Sequence, residues 1–392
     1  MEKEVFREHL VKDLIPFWNR LKDEEYGGFY GYADGNGKAD PAREKGVILT
    51  SRILWFYSAS YRLLEEESLL EMARHAYRFL AEHCVDKEYG GVYWSVTHDG
   101  RPLDTTKHSY NQAFAIYALS AFYEASGDKG ALELAYDIYR VIEEKCVDEG
   151  GYLEAFDRDF APADNDKLSE NGVMAQRTMN TLLHVMEAYT QLYKTDASPQ
   201  VRDRLEKILG LFKEKIYDPE KKQCRVFFDA DYRSLIDLDS YGHDIEASWL
   251  IWRACEVLGS ESDKQAMRPV IDGLAEGVYR HGIDRELFAL NNECERGVMN
   301  RTKIWWVQAE AVIGFYNAFA LQPQREEYRE CSERIWEFIR KYVIDPKTGE
   351  WVENIERVDR IDTSQALVHP WKCPYHNGRM CIEMTMRLSK EP

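Results

Sequence analysis

Two kinds of helical stretch alternate along the chain. Leu69–Glu82 carries apolar residues on one stripe and charges on the other faces. The stretch Gln112–Tyr123 is apolar nearly all round. A one-striped helix covers a surface, whereas a helix apolar on most faces is buried. Between such pairs the chain repeats one motif. A helix ends, a Gly-containing turn follows, and a short aromatic strand-like segment comes next. These segments are Gly27–Tyr32, Gly90–Ser95, Gly150–Ala155, Cys224–Asp229, Gly282–Leu287 and Gly349–Asn354. Four helix ends before the turns are alike: Cys84-Val-Asp, Cys146-Val-Asp, Ile216-Tyr-Asp and Val343-Ile-Asp. Self-similarity at a period near sixty residues signals a repeat architecture. Six amphipathic outer helices alternating with six buried inner ones predict an all-α (α/α)6 toroid, with short β-hairpin-like connections. The whole chain, 1–392, is expected to form one catalytic domain.

The inner helices would then run roughly parallel, with their first turns at one mouth of the ring. Those turns are polar. The first helix carries Arg52, the second Tyr110, Asn111 and Gln112, and the third Asn180 and His184. The fourth starts Ser240-Tyr-Gly-His-Asp-Ile-Glu246, with His243 and Glu246 three apart on one face. The fifth has Lys303-Ile-Trp-Trp306, then Gln308 and Glu310. The sixth starts Trp371-Lys-Cys-Pro-Tyr-His376-Asn-Gly-Arg379. Of ten histidines, only His184, His243 and His376 fall at these positions. His75 and His83 lie on an outer helix, and His9, His98, His108, His281 and His369 lie near termini or turns. One such histidine alone reads as a hydrogen-bonded structural residue. Three, with an arginine and a glutamate, point to chemistry.

Composition narrows the class. A net charge of -18 excludes nucleic acid and anionic membrane as partners, since both need a basic face. The charged N-terminus has no signal-peptide core, and no apolar run approaches the ~20 residues that span a bilayer. Eight cysteines without a Cys-x-x-Cys pair read as reduced thiols, which suits a cytoplasmic location. An aromatic content of 13% supplies either large core residues or sugar-stacking platforms. No Rossmann glycine pattern, P-loop or His-Glu-x-x-His motif is present.

The motifs Tyr241-Gly-His-Asp-Ile-Glu-Ala-Ser-Trp249, Lys303-Ile-Trp-Trp306 and Trp371-Lys-Cys-Pro-Tyr-His-Asn-Gly-Arg-Met-Cys381 resemble those of the cellobiose 2-epimerases. Ser51-Arg-Ile-Leu-Trp55 and Thr178-Met-Asn-Thr-Leu-Leu-His184 match the same group, within the N-acylglucosamine 2-epimerase superfamily. The resemblance covers essentially the whole chain. It implies cofactor-free epimerisation at C2 of the reducing-end glucose of β-1,4 disaccharides: cellobiose to 4-O-glucosyl-mannose, and lactose to epilactose. It implies His243 and His376 as the acid/base pair. His184 would support the enediolate, and Arg52 suits the role of oxyanion donor. Tyr110, Asn180 and Glu246 would bind hydroxyls, with Glu246 alternatively orienting His243. Trp306 would lie against the reducing-end ring and Trp371 against the second sugar. The expected partner is thus a small sugar, with no metal or cofactor, and the chain is expected to act as a monomer.

Competing readings remain open at this point. One is an N-acylglucosamine 2-epimerase or aldose–ketose isomerase. A glycoside hydrolase would use Glu246 and Glu310. A metal enzyme would use the three histidines as ligands. A non-catalytic sugar-binding scaffold is the last.

Overall fold

The alternation predicted from the sequence is realised in a computed structural model that describes residues 1–168, 171–356, 358, 362 and 364–390. Six inner helices span Val47–Leu64, Ser109–Ser126, Met179–Asp196, Tyr241–Leu258, Trp305–Leu321 and His376–Leu388. Each packs on the next, and the sixth returns against the first, so the ring closes. At the closing seam a Cβ on Gly378 would lie 2.5 Å from the Phe56 ring, so only glycine admits that approach.

The outer layer is formed by Lys3–His9 with its continuation Ile15–Asn19, then Glu67–Phe79, Lys129–Lys145, Pro199–Leu211, Glu261–His281 and Glu326–Phe338. In Glu67–Phe79 the buried positions are Leu69, Leu70, Ala73, Ala76 and Phe79, a three-and-four spacing that makes one stripe. The inner helix Trp305–Leu321 is buried over nearly its whole length. Single π-helical turns, Leu10–Leu14, Leu80–Cys84, Phe212–Ile216 and Ile339–Val343, lie in or at the ends of four outer helices.

The connections are very short antiparallel strand pairs, such as Val147–Asp148 with Gly151–Tyr152. The repeated aspartate gives them their shape. Its carboxylate accepts two backbone N–H groups of the following turn: Asp23 from Glu25 and Tyr26, Asp86 from Glu88 and Tyr89, Asp148 from Gly150 and Gly151. A cation just before the next inner helix then docks on it. Lys45 Nζ lies 2.6 Å from Asp23, Lys107 Nζ 3.0 Å from Asp86 and Arg177 2.6 Å from Asp148. In these three repeats the ion pair ties the hairpin to the start of an inner helix, whereas Asp218 of the fourth pairs with Arg225 of its own hairpin.

The fifth repeat differs from its expected register. Gly282-Ile-Asp284 is the helix-end motif, with Asp284 accepting from the Glu286 and Leu287 amides and pairing with Lys303 at 3.1 Å. The strand itself is Ala289–Leu290, paired with Ile283–Asp284. All eight cysteines are free thiols. Among the described residues no helix is long and apolar enough to cross a membrane.

Candidate active site at the mouth of the ring

A cavity of about 340 Å³ opens at the N-terminal end of the inner helices. That is within the size range of small-molecule sites. All nine residues singled out from the sequence line it: Arg52, Tyr110, Asn180, His184, His243, Glu246, Trp306, Trp371 and His376. Every inner helix contributes, because each N-terminal turn faces the axis at that end. The exception in placement is Trp371, which stands on the irregular approach to the sixth helix, before its start at His376.

Each of the three histidines is held through Nδ1, two by a carboxylate and one by a hydroxyl. His376 Nδ1 lies 2.7 Å from Glu310 Oε1, and His184 Nδ1 lies 2.8 Å from Glu187 Oε2. His243 Nδ1 lies 2.8 Å from the hydroxyl of Ser240, the residue that precedes its helix. The Nε2 atom of each ring is left for the cavity. Burial lowers all three from the usual histidine value: His243 to about 3, with His184 adding repulsion, and His376 well below that usual value, with Arg379 and Arg52 adding to it. The resting rings are neutral.

Trp306 contacts two of them, its ring centroid 4.8 Å from that of His243 and 5.4 Å from that of His376. Gly242 makes room for it, since a Cβ there would meet the Trp306 ring at 2.7 Å. Trp371 stands further out, 5.8 Å from both Tyr110 and Trp94. The Arg52 guanidinium sits 4.2 Å from the Phe114 ring centroid and donates to Tyr110 Oη at 2.8 Å.

Beneath the histidines lies Arg379, fully buried, with Glu187, Glu246 and Glu310 around it. It donates to Glu187, Glu246 and Tyr375, and lies 2.7 Å from Glu310. The Glu187 carboxyl would be raised by burial, but Arg379 and His184 hold it down at about 2. Three polar atoms of cavity-lining residues lack a protein partner: Arg52 Nε, Asn180 Oδ1 and Glu246 Oε2.

Glu246 does not orient His243. Its carboxylate turns to Arg379, and Ser240 holds the imidazole instead. Glu187 was not among the residues singled out, although His184 and Glu187 share the three-residue spacing of His243 and Glu246. His369, read from the sequence as an ordinary turn residue, lines the cavity. Its Nε2 lies 3.0 Å from Glu353 and its Nδ1 accepts the Trp371 amide at 3.2 Å. Glu246, Glu310 and His376 bring ligand atoms within 4.8 Å of one another, as a cation site would. The cation standing there is the Arg379 guanidinium.

Two neutral imidazoles in contact with one aromatic ring, with an arginine and unpaired polar atoms alongside, can accept protons from a bound sugar. Comparison with known proteins agrees. The N-acylglucosamine 2-epimerase (GlcNAc 2-epimerase) family profile matches residues 28–377. The chain is 48% identical over 382 residues to the cellobiose 2-epimerase of Ruminococcus albus, covering 97% of each chain. It is 49% identical over 401 residues to that of Eubacterium cellulosolvens, covering 98% of each. The solved cellobiose 2-epimerase of Bacillus thermoamylovorans superposes with a TM-score of 0.94 at 42% identity, over 98% of this chain and 99% of that one. The chain belongs to the N-acylglucosamine 2-epimerase family and is a carbohydrate epimerase, an isomerase.

Proposed function

We propose that the protein inverts C2 of the reducing-end glucose of cellobiose, giving 4-O-glucosyl-mannose, and acts likewise on lactose. The observation that carries this reading is the pair His376 and His243, both in ring contact with Trp306 at the cavity. A reducing-end ring resting on Trp306 would present its C2 between two Nε2 atoms. Trp371, further out, suits the second sugar.

The chemistry needs an open-chain aldehyde, because only beside a carbonyl is the C2 proton acidic. His376 is suited to removing it. Its Nδ1 hydrogen points to Glu310, which leaves the Nε2 lone pair for C2. Electrons then flow from the C2–H bond into C1–C2, and charge collects on O1 as a cis-enediolate. Arg52, permanently charged, stabilises that oxygen. His184 has its Nδ1 hydrogen on Glu187, so its Nε2 accepts a hydroxyl proton. Once charged, it adds to the enediolate's stabilisation.

His243, neutral at rest, takes up a proton from solvent when the sugar is bound and returns it to the opposite face of C2, becoming neutral again, while the proton held by His376 passes back to solvent. The partner of His243, the Ser240 hydroxyl, can donate or accept, so it can follow either tautomer. Asn180 and Tyr110 fit as ligands for the remaining hydroxyls.

Cellobiose, lactose and N-acetylmannosamine, incubated side by side and resolved by NMR, test the reading. Glucosyl-mannose from cellobiose and epilactose from lactose are the expected products. Turnover of N-acetylmannosamine alone would replace the reading with an N-acylglucosamine 2-epimerase. Free glucose would point to hydrolysis.

A further inference from the structure

Three carboxyl groups surround one buried guanidinium, and their hydrogen-bond donors are shared unequally. Glu310 takes an N–H on each oxygen: Arg379 and His376 reach Oε1, both at 2.7 Å, and Trp249 Nε1 reaches Oε2 at 3.0 Å. Arginine and indole nitrogens can only donate. Three N–H groups directed at Glu310 favour its ionised form. Glu187 is occupied in the same way. Arg379 and Tyr375 reach Oε1, and His184 and Tyr375 reach Oε2.

Glu246 is different. Its Oε1 accepts from Arg379, but its Oε2 has no protein partner, is buried, and belongs to a residue lining the cavity. Two ionised carboxylates already exceed the charge of Arg379. A third would be a buried anion with a bare oxygen, the most costly arrangement available.

We propose that Glu246 is a neutral carboxylic acid in the resting enzyme, and that its Oε2–H donates a hydrogen bond to a hydroxyl oxygen of the bound sugar. The donation rests on the proposed function; the neutral state does not. Burial, with repulsion from Glu310, pushes the Glu246 carboxyl up to about 8; burial raises Glu310 too, but the Arg379 and Trp249 donors oppose that shift. The arrangement adds to the cavity a donor that carries no charge. A carboxylate there would offer only acceptors and would compete with the enediolate for Arg52.

Glutamine copies the neutral acid: its carbonyl can accept from Arg379 and its amide can donate to the sugar. Glu246→Gln should therefore keep kcat and KM for cellobiose within about tenfold, whereas Glu246→Ala, which removes the donor to the sugar and leaves the buried Arg379 guanidinium short of an acceptor, should lose about 100-fold in kcat/KM. A Glu246→Gln enzyme as inactive as Glu246→Ala would overturn the donation. The second readout needs no turnover. The infrared spectrum of wild type at neutral pH should show the carbonyl stretch of a protonated carboxylic acid, moved by carbon-13 labelling of glutamate and absent from Glu246→Gln. Lack of a glutamate-labelled band in wild type would overturn the neutral state, whether or not the variant folds. If wild type turns over no sugar while the band is present, the fault lies in the proposed function.

Discussion

His376 and His243 contact the same tryptophan, yet one leans on a carboxylate and the other on a hydroxyl. The carboxylate of Glu310 is fixed by Arg379 and Trp249 and can only accept, so it locks His376 in one tautomer. The Ser240 hydroxyl rotates and imposes no tautomer. The comparison teaches that two residues of one type can be given unequal tasks by what stands behind them. A locked ring suits the proton-abstracting step, and an unlocked ring suits the return. His184 repeats the carboxylate-backed pattern with Glu187.

The comparison breaks most completely if either ring is removed. His376→Ala and His243→Ala should each lower kcat by about 10⁴-fold or more, the upper range for general acid–base catalysis. Melting temperatures should change little. Substantial epimerisation by either variant, measured as product by NMR, would refute that ring's role.

A finer break removes only the backing group. Glu310→Gln should cost about 10- to 100-fold in kcat, the worth of a charge-assisted hydrogen bond. Ser240→Ala should cost about fivefold, that of a neutral one. Equal losses in the two variants would erase the distinction between the histidines.

The pH profile sharpens the same point. Burial lowers His184, His243 and His376, so the free bases persist below the usual histidine range. The acid limb of kcat/KM should therefore fall below pH ~6, whereas unperturbed histidines would place it near ~6.5.

The smallest effect concerns the neighbour of His243. Asp244 accepts the Cys224 amide at 2.8 Å, and burial pushes it up to about 8. A raised carboxyl stabilises the fold fully below its unfolded value, ~3.9, and loses that contribution as pH climbs towards 8. Relative to Asp244→Asn, wild type should thus lose on the order of 1 kcal/mol of stability per pH unit between pH ~5 and ~7. Urea unfolding at several pH values reads this directly.

Much of this site was legible in the sequence because it follows from periodicity. Apolar helices identified the inner ring, and the polar first turns identified its mouth. His184, His243 and His376 were visible because each sits in such a turn. What stands behind them was harder to see. Arg379 meets Glu246 and Glu187 from positions 133 and 192 residues away, pairings that no local spacing announces. The Glu246 side chain was read against its helical neighbour His243, but the buried guanidinium is the stronger partner. His369 escaped because its contacts, Glu353 and the Trp371 amide, depend on how an irregular segment folds back. The fifth repeat differs in register because Gly282-Ile-Asp284 lacks the apolar residue that opens the other helix-end motifs, and its equivalence shows in the contacts of Asp284 with the following turn amides and with Lys303.

The central claim is that a proton leaves C2 and another returns by way of side chains that exchange with water. Cellobiose incubated with the enzyme in D2O and followed by NMR tests it most directly. The glucosyl-mannose formed should carry deuterium at C2. Glucosyl-mannose formed with hydrogen retained at C2 would contradict the account, because the C2 proton would then have moved without passing through an exchangeable histidine.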